Sequence, residues 1–83
     1  VRSELEKAVR RKSRQRRSVI EKYAGRCYLC GVETEVDVTA AASPRYATID
    51  HIIPLSKGGE DVADNRALAC RACNEKKADI VPQ

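Results

Sequence analysis

Arg66-Ala67-Leu68-Ala69-Cys70-Arg71-Ala72-Cys73-Asn74-Glu75-Lys76-Lys77 is the stretch on which the fold turns. Arg66 to Ala69 read as a short strand that runs straight into a C-x2-C pair. Residues 71–79 then read as a short helix, which must stop before Pro82 because proline cannot continue it. Two cysteines at this spacing can chelate one edge of a tetrahedral ion, so a second pair is needed to close the site. It lies upstream, in Cys27-Tyr28-Leu29-Cys30, and Gly31 follows where a tight knuckle turn needs an unhindered backbone. Four thiolates around Zn2+ would make a closed structural site, with Cys27, Cys30, Cys70 and Cys73 as ligands. Two disulfides in a secreted domain are the alternative, but two-residue spacing suits a chelate and the chain lacks the marks of a disulfide scaffold. Zinc therefore implies a reducing, cytoplasmic compartment.

A chain of this length calls for support beyond its core. It has 83 residues, room for one small domain, with 4% aromatic residues and no Phe or Trp. A core of that size is modest, and small domains usually add a metal, a disulfide or a partner. Bound zinc would contribute on the order of 10 kcal/mol to folding. No apolar run approaches the ~20 residues of a membrane-spanning helix, so a membrane partner is not expected. There is no Met, so Val1 is not expected to be a native start and the chain is expected to be a piece of a longer one.

The 39 residues between the cysteine pairs leave the ion and return to it, and they carry the functional body. Val36-Asp37-Val38 has short strand character, and residues 39–45 read as a loop. Tyr46-Ala47-Thr48-Ile49-Asp50-His51-Ile52-Ile53 is rich in β-branched and aromatic residues and reads as a strand stopped by Pro54. Leu55-Ser56-Lys57-Gly58-Gly59-Glu60-Asp61 is turn-rich. His51 is the one histidine, and with four cysteines available for zinc it is free for other work. An imidazole can take a proton from water. A carboxylate such as Asp50 and an amide oxygen can hold a hard cation such as Mg2+. Asn65 and Asn74 are the candidate amides, and Asn74 directly follows a zinc ligand. A surface dyad or a turn hydrogen bond would also account for Asp50-His51.

Charge divides the chain. Residues 1–26 carry ten basic and three acidic side chains, and residues 27–83 carry six and nine, for a net charge of +4. A basic arm on a mildly acidic body points to a polyanion, the alternative being a solvated helix with surplus arginine. Residues 2–24 read as helix, opened by the capping box Ser3-Glu4-Leu5-Glu6 and ended by Gly25. A second capping box, Ser18-Val19-Ile20-Glu21, predicts a break or bend. Leu5 and Val9 form one apolar pair, and Val19, Ile20 and Tyr23 a cluster that should dock on the body. Residues 10–17 have no apolar face and are left to water or phosphate.

Asp50-His51-Ile52-Ile53-Pro54-Leu55-Ser56-Lys57-Gly58-Gly59, with Asn65 and Cys70-Arg71-Ala72-Cys73-Asn74-Glu75-Lys76-Lys77, resembles an HNH endonuclease across about residues 27–79. The resemblance implies an α+β fold: a small ββα-metal finger braced by a four-cysteine zinc, preceded here by the basic helix. Residues 1–26 are then an arm and residues 27–83 the nuclease domain. It implies metal-dependent cleavage of double-stranded DNA to 5′-phosphate and 3′-hydroxyl ends. His51 would be the general base, Asp50 the acidic ligand of a Mg2+ or Mn2+ ion, and Asn65 the residue that holds the loop and orients the histidine. Asn74 stands at the third motif position, often histidine, as the second ligand; its amide oxygen binds soft transition metals less well than imidazole does. Arg10, Arg11, Arg14, Arg17 and Lys77 are the expected phosphate contacts, and bacterial or phage origin is the expectation. A non-catalytic zinc module that binds DNA or protein is the competing reading. It would keep the cysteines and the arm but has no need of Asp50, His51 and Asn74 together.

Overall fold

A computed structural model describes residues 14–77. The capping box at Ser3, the Leu5–Val9 pair, Arg10, Arg11 and the predicted end of the last helix at Asp79 lie outside the described residues. Helix α1 covers 14–22, strand β1 Ala47–His51, strand β2 Arg66–Cys70 and helix α2 Arg71–Lys77. Single 3-10 turns at Val38–Ala40, Leu55–Lys57 and Ala63–Asn65 shape the connections.

The two strands pair antiparallel, with Ala47 opposite Cys70, Ile49 opposite Leu68 and His51 opposite Arg66. Side chains alternate across a strand, so one residue type per face decides what covers it. On one face Ala47 and Leu68 form a core with Val19 of α1, joined by Ile20, Tyr23 and Ile49. The other face carries Thr48 and Asp50, which bond to Asn74 and Lys77 of α2. A second core joins Ala69 and Cys70 of β2 to Cys27, with Tyr28, Val32 and Cys73 around it. The sheet is thus flanked by α1 on one side and by α2 with the cysteine pairs on the other.

Three local expectations change. The helix runs unbroken through Ser18, because Val19 is turned into the core at 5% exposure and packing outweighs the local cap signal. It stops where predicted: the Gly25 amide donates to Ile20 O at 2.9 Å, with Gly25 at φ 74° and even Ala24 at φ 53°. No strand forms at Val36–Val38. Glu35 makes one parallel bridge to Tyr46, and then Asp37 accepts bonds from the Thr39 amide and hydroxyl and turns the chain. These same bonds hold the Asp37 carboxyl below its usual pKa. Finally, Arg16 is not left to water. Its guanidinium donates to Ala47 O and Val36 O and lies 4.6 Å from the Tyr46 ring centroid.

Candidate metal and catalytic site

The first cysteine pair sits in a knuckle closed by Gly31 at φ 78°, whose amide donates to Cys27 O at 2.9 Å. The second straddles the β2–α2 junction: Cys70 ends the strand and Cys73 lies in the helix's first turn. All four Sγ atoms fall within 4.8 Å of one another, and all four thiols are free of disulfides. The Cys30 and Cys70 sulfurs are 3.8 Å apart. A tetrahedral ion with Zn–S bonds of ~2.3 Å needs sulfurs roughly 3.8 Å apart, so the donor set fits zinc. Burial pushes the Cys70 and Cys73 thiols up, their sulfur neighbours adding to the effect at Cys73. Burial also opposes ionisation of Cys27, but the backbone amides around it win and lower it to about 7. Four thiolates packed this closely call for a cation among them.

Asp50 and His51 leave β1 on opposite sides. Asp50 is 6% exposed, and Tyr28 Oη donates to its Oδ2. Burial and then that carboxylate raise the Tyr28 phenol above its ordinary pKa. Lys77 Nζ lies 3.2 Å from Asp50 Oδ2 and donates to His51 O at 3.0 Å. Asn74 Nδ2 donates to Thr48 Oγ1 at 2.9 Å, two residues before Asp50 on the same face. The His51 ring meets Asp61 instead, Nε2 to Oδ1 at 2.9 Å, and Arg66 Nε donates to that same oxygen at 2.9 Å. Arg66, then His51, lowers the Asp61 carboxyl to about 2. Among the described residues no hydrogen bond joins Asp50, His51 and Asn74 to one another.

A model of the HNH endonuclease family matches residues 27–79, from the first cysteine through the end of the last helix's predicted span. The chain belongs to the HNH endonuclease family. No curated protein matches it as a relative. The matched segment of this HNH chain takes in both cysteine pairs, Asp50, His51, Asn65, Asn74 and Lys77, and leaves α1 outside. Among the described residues no helix is long and apolar enough to cross a membrane.

Asn65 ties the HNH loop together. Its Oδ1 accepts from the Ile53 amide at 2.8 Å, and its Nδ2 donates to Ile53 O at 2.9 Å and Glu60 O at 2.8 Å. Between those anchors Gly59 is obligatory, since a Cβ there would sit 1.9 Å from Ile53 O. We expect Asn65→Ala to strip all three bonds from the partly buried backbone groups of residues 53 and 60 at the loop's base. The cost should be about 2–4 kcal/mol in chemical denaturation, each orphaned group contributing roughly 1–3 kcal/mol less any water that enters. An undiminished midpoint would show that the loop holds its shape without the amide.

Sequence reasoning missed several neighbours of the HNH residues. Tyr28, inside the first C-x2-C, gives no local sign that it reaches Asp50. Asp61 and Arg66 read as turn and strand residues, although the cross-strand position of Arg66 opposite His51 follows once the register is known. The expectation for Lys77 is corrected: its side chain is 5% exposed and bound to Asp50, not displayed to phosphate, because α2 turns it inward onto β1. Arg14 and Arg17 are exposed on α1.

Proposed function

We propose that this HNH protein hydrolyses phosphodiester bonds in double-stranded DNA, with His51 as general base. The observation that carries the reading is the contact of His51 Nε2 with Asp61 Oδ1. Asp61, lowered to about 2, is ionised at any pH where an imidazole is neutral, and an ionised carboxylate can only accept. The proton of a neutral His51 therefore sits on Nε2, which leaves Nδ1 to take a proton from water. Protonating Asp61 requires acid well below its ordinary range, so the carboxylate remains an acceptor for the imidazole throughout the neutral range.

Asp50 and Asn74 would hold the divalent cation. The pairing of Asp50 with the Lys77 ammonium supports an ionised carboxylate at this position. Among the described residues the Asn74 amide is engaged through its N–H group, leaving its carbonyl oxygen for a ligand. Carboxylate and amide oxygens are the donors that hard cations prefer. When bound, Mg2+ or Mn2+ supplies positive charge to the phosphate oxygens as negative charge grows on them. Asn65, by fixing residues 53 and 60, keeps the histidine strand and the Asp61 loop in register. Arg14 and Arg17, with Arg10 and Arg11 before them, are assigned to the duplex backbone, as an arm at 1–26 attached to a nuclease domain at 27–83.

Nicking of supercoiled plasmid by zinc-loaded protein tests this. Cleavage should require Mg2+ or Mn2+, and Asn74→Ala should need about tenfold or more of the ion for half-maximal rate. Protein that binds the plasmid but leaves it uncut in every divalent metal would be a non-catalytic zinc module.

A further inference from the structure

The Lys77–Asp50 pair is the one ion pair among the described residues with both side chains almost wholly buried, at 5% and 7% exposure. Lys76, its neighbour, is exposed, as a lysine on a short surface helix ordinarily is. Burying two charges is costly and persists only where each satisfies the other. Lys77 Nζ lies 3.4 Å from Asp50 Oδ1 and 3.2 Å from Oδ2, while Tyr28 Oη donates to Oδ2. Both carboxylate oxygens are therefore engaged, and a cation arriving at Asp50 meets a partner on each of them. Tyr28 is neutral and tolerates a neighbouring cation. Lys77 carries a like charge and is repelled by it. The ammonium also has a second anchor, His51 O at 3.0 Å, so it can leave the carboxylate without leaving the site.

We infer that Lys77 is an internal counter-ion that keeps Asp50 satisfied while no divalent cation is bound, and that such a cation gains the carboxylate by displacing it. This rests on the reading of Asp50 as a metal ligand. The pairing leaves neither buried charge without a partner. It also sets the ion's affinity below what the oxygen donors alone would give, because binding has to break the pair.

Mn2+ binding to zinc-loaded full-length protein, followed by loss of the free-ion electron paramagnetic resonance signal, tests the exchange without reference to activity. Lys77→Met should bind Mn2+ about tenfold or more tightly than wild type, since a competing charge beside the ion is gone. Asp50→Asn should abolish this binding in both backgrounds. Unchanged or weaker Mn2+ affinity in folded Lys77→Met overturns the exchange alone. Full Mn2+ binding by Asp50→Asn overturns the metal site and the exchange with it. Should Lys77→Met lose its zinc or its helical signal, the wild-type protein carries the test. Its buried Lys77 ammonium resonance should shift or vanish as Mg2+ saturates, and an unmoved resonance overturns the proposal.

Discussion

His51→Ala should lower the rate of plasmid nicking by about two to four orders of magnitude, the usual contribution of a positioned proton acceptor. Zinc content and the far-ultraviolet circular dichroism spectrum should stay as in wild type. The separation is expected because His51 closes no core. Its ring stands at the end of β1, 27% exposed, and meets the exposed Asp61. Truncation leaves Asp61 still bound by Arg66 through Nε and, at its backbone oxygen, through Nη2. It also leaves the His51 carbonyl in place for Lys77. Nicking at the wild-type rate by the alanine variant would remove His51 from the mechanism, whatever the metal requirement.

Cys70→Ser should unfold the domain. Among the described residues the largest fully buried side chain is Leu68, and much of the remaining core is alanine. A small domain has only about 5–15 kcal/mol of net stability to lose. A structural zinc contributes an apparent ~10–16 kcal/mol at neutral pH, so losing the clamp removes most or all of it. Cys70 is the most sensitive of the four positions because it is both a ligand and the last residue of β2, with the Ala47 pairing on one side and α2 on the other. The variant should bind zinc weakly and give a collapsed amide spectrum. A well-dispersed spectrum from metal-free Cys70→Ser would mean that the sheet holds itself. Because thiolates must shed protons to bind, the wild-type protein should lose zinc and structure together on acidification.

The parts of this architecture that depend on neighbouring residues were legible from sequence. β-branched runs located β1, and the cysteine spacing located the clamp. Arg66 to Ala69 located β2 to within a residue, and Gly25 marked the end of α1. The parts that depend on distant residues were not. Val36-Asp37-Val38 has the composition of a strand, yet Asp37 finds a better partner in Thr39 and turns the chain. Tyr28 looks like a spacer between ligands, and only the folded knuckle carries its hydroxyl to a carboxylate 22 residues away. Lys77 has the sequence setting of a surface lysine, but α2 lies so that its stem passes inward over β1. In the candidate site, the chemistry of Asp50, His51 and Asn74 could be named from residue type, while the groups that restrain them could not.

Arg16 changes how the arm is to be counted. Association with a duplex releases condensed counterions in proportion to the phosphates neutralised, with a logarithmic slope of about −0.9 for each. A guanidinium already bound to the carbonyls of Val36 and Ala47 and stacked on Tyr46 releases none. The ionic-strength dependence of the proposed duplex binding should therefore fall short of the formal charge of residues 1–26 by at least this one cation. A truncation carried past residue 15 cuts into the fold's own framework before it finishes removing the arm.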